Sequence, residues 1–214
     1  MGASCCEHDH RGGPQNRPND AAYRRALWAV LALNAGMFVV EVAAGLAAGS
    51  ASLQADALDF LGDAANYGIS LFVVGMALRY RAMAAVAKGA SMGLFGLWVV
   101  GTVVWHALRG TVPEPLTMGV IGFAALAVNA AAFGLLYAFR GGDANMRSAW
   151  ICTRNDVVGN LAVLLAAAGV LGTGTGWPDL IVAAIMATLA LQGAWMVLCQ
   201  AVGELRLQSP QPAE

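Results

Sequence analysis

The sequence predicts an all-α fold, a polytopic membrane protein whose six transmembrane helices form a bundle with both termini cytoplasmic. Three observations carry that prediction. Hydrophobic residues make up 58% of the 214 residues and charged residues only 12%, against roughly 25% charged in an ordinary soluble domain. Apolar runs of about 20 residues, the length that crosses about 30 Å of hydrocarbon, recur along most of the chain. The basic residues are also spread unevenly about those runs, as the positive-inside rule requires. A chain of this length has room for six crossings and for no soluble domain of normal size.

The predicted spans are 26–48, 52–78, 84–108, 115–139, 148–171 and 178–202. Helix-breaking segments separate them: Gly49-Ser50-Ala51, Arg79-Tyr80-Arg81, Gly110 to Pro115, Arg140-Gly141-Gly142-Asp143, and Gly172 to Pro178. Glycine and proline end helices through their special φ preferences, and connections this short force neighbouring helices to run antiparallel. The chain therefore divides into a flexible tail at 1–23, a six-helix membrane domain at 24–204, and a short disordered tail at 205–214. Gly45 with Gly49, and Gly89 with Gly93, are small-residue pairs four apart, a spacing that lets helices approach closely in lipid.

With both termini inside, ten of the 12 Lys and Arg residues fall on the cytoplasmic side: Arg11, Arg17, Arg24, Arg25, Arg79, Arg81, Lys88, Arg140, Arg147 and Arg206. Arg109 falls outside and Arg154 within a span. The net charge of −1 adds nothing to this polarity, and no basic surface suited to nucleic acid is present. The first apolar run starts near Ala26, is too long for a signal-peptide core, and contains Asn34 and Glu41, so no cleavable signal is expected. Cys5 and Cys6 lie on the cytoplasmic side and Cys152 and Cys199 in spans, so all four are expected to be reduced.

Four carboxylates stand out inside these spans: Asp56, Asp59 and Asp63 on the second, and Asp156 on the fifth. An ionised Asp at a helix centre costs roughly 3 kcal/mol on insertion scales, so such residues mark a cation path or a paired site. Residues four apart share a helix face, which stacks Asp59 on Asp63, with Asp56 and Tyr67 continuing the stripe. Cys152, Asp156 and Asn160 form a matching stripe on the fifth span. Turned toward each other, these faces offer Asp59, Asp63, Cys152 and Asp156 as four ligands. Four oxygen and thiolate donors suit Zn²⁺, and Cd²⁺ or Co²⁺ nearly as well. Mg²⁺ and Ca²⁺ want six or more oxygens.

The stretch Asn34, Glu41, Gly45, then Ser52-Leu53-Gln54-Ala55-Asp56-Ala57-Leu58-Asp59-Phe60-Leu61-Gly62-Asp63, resembles the first two helices of the cation diffusion facilitator family. Ser148-Ala149-Trp150-Ile151-Cys152-Thr153-Arg154-Asn155-Asp156 resembles that family's second half-site, and the likeness covers about residues 24–204. The resemblance implies export of Zn²⁺ or a related divalent ion from the cytoplasm in exchange for protons, no further cofactor, and a homodimer. It implies a location in a bacterial inner membrane. It makes Asp59, Asp63 and Asp156 ligands of the transported ion and gives Asp56 a supporting position behind them, with Asn160 beside it. Cys152 stands where most members have His, and its thiolate, softer than imidazole, favours Cd²⁺ or another soft ion. The family's C-terminal cytoplasmic domain is expected to be lacking here.

Cys5, Cys6, Glu7, His8, Asp9 and His10 place metal-ligating residue types side by side in the N-terminal tail. They are expected to capture metal, with Cys5, Cys6, His8 and His10 as ligands, unless the composition is chance. Glu41 with Asn34 has two readings, guidance of ions or protons and hydrogen bonding between helices. Arg154 is expected to snorkel or to pair with Glu41 or Asp56, His106 to sit at the interface, and Cys199 to be packed. Asn129 and Asn160 are expected to bond between helices. A non-transporting metal-binding or sensing protein is the alternative reading. A small-cation drug exporter coupled through Glu41 leaves the two stripes without a purpose. No P-loop, zincin pair or nucleophile elbow suggests an enzyme.

Overall fold

The computed structural model describes residues 20–72, 78–137 and 144–207, and of residues 20, 78, 81, 144–155, 206 and 207 it describes the backbone alone. The described elements are α1 (Asp20–Ala48), α2 (Ala51–Phe72), α3 (Leu78–Arg109), α4 (Pro115–Tyr137), α5 (Ala144–Thr173) and α6 (Trp177–Leu207). This is an all-α membrane fold. Helix is longer than the predicted spans at several ends: α1 starts six residues before 26, α3 takes in the Arg79-Tyr80-Arg81 segment expected to break it, and α6 runs to Leu207. Helices extend into the interface because backbone pairing costs nothing there, whereas hydropathy marks only the hydrocarbon.

Among the described residues, five helices are long and apolar enough to cross a membrane, namely α1, α3, α4, the Asp156–Thr173 part of α5, and α6. The sixth, α2, carries three aspartates and is the most enclosed. Ala51 through Leu58 are all buried, and Phe60, Gly62, Asp63 and Tyr67 follow them. It touches every other helix. Its polar residues are shielded from lipid by protein, which is how an acid-bearing helix is held at membrane depth. The outer surface is apolar, with Leu94, Val104, Val120, Leu165 and Ile181 exposed.

The α1–α2 connection shows how a two-residue turn is held. Gly49 has φ 65°, a conformation that glycine adopts without Cβ strain. Ser50 N–H donates to Gly45 O at 2.9 Å and Gly49 N–H to Leu46 O at 3.4 Å, which is the Schellman ending of a helix. Ser50 then caps α2, its Oγ accepting from Leu53 N–H at 3.2 Å. Asp179, buried in the first turn of α6, accepts from Ala51 N–H at 2.8 Å, Ser52 N–H at 3.0 Å and Ser50 Oγ–H at 2.7 Å. The first three N–H groups of α2 are thereby satisfied, two of them by a residue 128 and 127 positions away.

Of the small-residue pairs, Gly89 and Gly93 do face another helix. A Cβ on Gly89 would stand 2.8 Å from Leu198 Cγ and 3.2 Å from Ala194 O, and one on Gly93 3.8 Å from Ala194 Cβ, so α3 and α6 pack through them. Gly45 packs against Leu53 and Gln54 of α2, while Gly49 serves the turn. Apolar clusters join Leu58, Val99 and Ala187 across α2, α3 and α6, Leu53, Met118 and Val163 across α2, α4 and α5, and Met37, Phe60 and Ala125 across α1, α2 and α4. Between these clusters, Asp56 of α2 meets Asn160 of α5 and Glu41 of α1.

Candidate functional site

Spacings of three and four residues put Asp56, Asp59 and Asp63 on one flank of α2, and α5 supplies Asp156 and Asn160 opposite. The helices come close because α5 has glycine at the contact. A Cβ on Gly159 would lie 3.5 Å from Asp59 Oδ2 and 3.8 Å from Asp56 Oδ1. The carboxyls of Asp63 and Asp156 are within hydrogen-bonding reach of each other, and Asp59 and Asp56 act electrostatically on Asp156. Tyr67 Oη donates to Asp63 Oδ2 at 3.0 Å. Asp156 Oδ2 is buried without a hydrogen-bond partner. Burial of acids this close together makes the site electronegative, since 332/(ε·r) gives about 4 kcal/mol between unit charges 4 Å apart at an effective dielectric of 20.

Asp63 and Asp156 are thus neighbours, with Asp59 acting on Asp156 beside them. Among the described residues, no three His, Cys, Asp or Glu side chains are spaced to hold one metal ion. The side chain of Cys152 lies outside the described residues, as does that of Arg154, and so do Cys5, Cys6, His8 and His10 entirely.

Behind this cluster a second polar network crosses four helices. Asn160 Nδ2 donates to both oxygens of Asp56, at 3.1 and 3.0 Å, and Asn129 Nδ2 of α4 donates to Asn160 Oδ1 at 3.4 Å. Asn129 and Asn160 thus bond between helices, as expected of them. The Glu41 carboxyl of α1, fully buried, lies against that of Asp56. The amide of Asn34 donates to Val30 O of its own helix at 2.8 Å.

Two further expectations need correction. Lys88 does not lie on the cytoplasmic surface; it is 8% exposed, its ammonium donates to Asn66 Oδ1, and it acts electrostatically on Asp63. A long stem lets a lysine near a span end point inward as readily as outward, and nothing in its sequence neighbourhood decides which. Cys199 is exposed on α6 and not packed. His106 is half-buried, its Nδ1 buried without a partner, in an open groove of about 540 Å³ that Gln54, Trp98 and Trp105 also line. Arg109 stacks on Trp105 at 4.4 Å nearby, an arrangement typical of a membrane–water interface.

Fold and site together define a helical integral membrane protein with an acidic cluster at the heart of its bundle. The sequence profile of the cation efflux transmembrane domain matches residues 27–205, and the chain belongs to that family. It is 29% identical over 220 residues to the zinc transporter ZitB of Escherichia coli strain K12, covering 95% of this chain and 69% of the relative. It is 24% identical over 212 residues to the cadmium, cobalt and zinc/H(+)-K(+) antiporter of Bacillus subtilis strain 168, covering 90% and 67%. It is 26% identical over 205 residues to the metal cation efflux system protein CzcD of Cupriavidus metallidurans, covering 89% and 61%. The chain thus spans roughly three fifths to seven tenths of these relatives. They are bacterial, and with apolar helices in place of a barrel the chain is an integral inner-membrane protein.

Proposed function

We propose that the chain exports a divalent metal ion from the cytoplasm by proton antiport, with Zn²⁺ the first candidate cargo and Cd²⁺ or Co²⁺ next. Asp59, Asp63, Cys152 and Asp156, at mid-membrane between α2 and α5, are the proposed ligands, with Asp56 and Asn160 supporting them. The observation that supports this most is the meeting of the Asp63 and Asp156 carboxyls inside the bundle. Acids gathered at membrane depth are expensive unless a cation visits them. Relatives named as zinc transporters and as a cadmium, cobalt and zinc antiporter agree with the cargo class.

The proton coupling follows from ligand chemistry. Carboxylate and thiolate ligands must be deprotonated to hold a divalent ion, so metal binding releases protons and protonation expels metal. Two arrangements of the helices about a fixed central site then give alternating access. The end carrying exposed Arg24, Arg25 and Arg79 is the proposed cytoplasmic end. A homodimer and capture of metal by Cys5, Cys6, His8 and His10 belong to the same proposal.

Proteoliposomes holding a zinc-sensitive dye test it. The native chain should accumulate Zn²⁺ in response to a pH gradient, while Asp63→Ala and Asp156→Ala should lose at least about 100-fold of that rate, the scale of losing a ligand worth about 3 kcal/mol. Variants that retain native flux would overturn the site, and a native chain that binds zinc without moving it would favour a sensing role. Cys152→His should shift the Cd²⁺/Zn²⁺ flux ratio toward Zn²⁺.

A further inference from the structure

Counting donors and acceptors in the second network leaves a consistent surplus of one kind. A carboxylate only accepts, so Asp56 obliges Asn160 to present its NH₂ group, as found at 3.1 and 3.0 Å. Asn160 then turns its carbonyl oxygen to Asn129, which must present NH₂ in turn, at 3.4 Å. The chain of amides therefore ends in an acceptor, Asn129 Oδ1, which is buried with no partner. At the other end Glu41 is 0% exposed, and neither of its carboxyl oxygens has a partner. Its nearest polar neighbour is the Asp56 carboxyl, which can bond it only through an added proton.

All three unfilled positions are thus oxygens, whereas each amide nitrogen of the network has a hydrogen-bond partner. A satisfied structural network would balance the two, because each unpaired buried polar group costs about 1–3 kcal/mol. Something positive is needed to complete it. The donor set has no thiolate or imidazole, and both oxygens of Asp56 are already engaged by Asn160. What is left, one carboxylate and one amide oxygen, matches a single hard charge better than a doubly charged, nitrogen- and sulfur-seeking ion.

We propose that Glu41, Asp56, Asn160 and Asn129 form a second cation site, separate from Asp59, Asp63, Cys152 and Asp156, which binds a hard monovalent cation as the counter-ion of exchange. A proton and an alkali-metal ion share the required chemistry. The charged groups facing Glu41 from α2 are Asp56 and Asp59, and Asp156 of α5 acts on Asp56 in turn; α4 contributes the neutral Asn129. Metal arriving at Asp59, Asp63 and Asp156 would therefore repel the cation held at Glu41 across the Asp56–Asp59 step of α2. Release of one ion would be coupled to capture of the other, in addition to the proton exchange at Asp59, Asp63, Cys152 and Asp156 themselves.

The inference rests on the transport reading above and is tested in the same vesicles. Glu41→Gln keeps the side-chain shape but removes the charge, and Asn129→Leu removes the terminal acceptor while leaving both acids. Each is to be compared with the native chain for Zn²⁺ flux under a zinc gradient alone, under a pH gradient, and under a K⁺ gradient. Zinc affinity is measured by calorimetry on the detergent-solubilised full chain. The expected result is zinc affinity within about threefold of native, with gradient stimulation reduced about tenfold, a coupling energy of ordinary size. Loss confined to the pH arm identifies a proton, and loss confined to the K⁺ arm an alkali-metal ion. Native stimulation in both variants overturns the site, and Asn129→Leu decides alone if Glu41→Gln does not fold. A native chain that moves no zinc under any gradient defeats the transport reading and this inference together.

Discussion

Asp179 shows how much a single carboxylate can organise. Its two oxygens take the N–H groups of Ala51 and Ser52 and the hydroxyl of Ser50, all at the positive end of the α2 dipole. Asp179→Ala should leave those donors unmatched and cost about 1–2 kcal/mol, the range of a lost helix cap. A lower melting temperature in detergent, with faster amide exchange at Ala51 and Ser52, is the expected readout; unchanged exchange there would show that Ser50 suffices. Glu114 caps α4 in the same manner, accepting from Thr117 N–H at 2.6 Å and Leu116 N–H at 3.2 Å. Its hydrogen bonds to Thr117 hold its pKa below the ordinary glutamate value. A depressed folded pKa means stabilisation that is present above the unfolded value and lost as pH falls through the folded one. Exchange of the Leu116 and Thr117 amides should therefore be protected at neutral pH and lose that protection only under acid conditions, once the intrinsic pH dependence of exchange is divided out.

Among the elements, α2 departs furthest from what its composition suggests. Three aspartates remove its described residues from the set of helices apolar enough to span a membrane, yet it is the helix that touches every other one. The period of four that groups its acids is legible from residue numbers alone, as are the breakers at Gly49, Gly110 and Gly174, each with φ near 65° (65°, 64° and 65°). Which helix each glycine meets is not legible, because Gly89 and Gly101 look alike in sequence while only Gly89 has a neighbour within 4 Å. Gly89→Leu should force α3 away from Ala194 and Leu198 and destabilise the bundle by about 1–3 kcal/mol, the usual cost of overpacking. Gly101→Leu, in open space, serves as the control and should melt as the native chain does.

At the scale of the molecule, binding and stability are linked. A ligand that favours the folded bundle adds RT ln(1 + [L]/Kd), about 2.7 kcal/mol at a hundredfold excess. Zn²⁺ should therefore raise the melting temperature of the native chain in detergent, and Asp63→Asn should abolish most of the rise. An equal rise in that variant would place the ion elsewhere. The sequence by itself determined the membrane class, the number of helices, the short turns and the two acidic stripes, because hydropathy and helical periodicity are local properties. Only the tertiary structure decided that Glu41 meets Asp56, that Lys88 turns inward to Asn66, and that Asp179 caps a helix 128 residues away. Those pairings depend on which faces close-packed helices present to one another, and a side chain carries no mark of its distant neighbour until the bundle has closed around it.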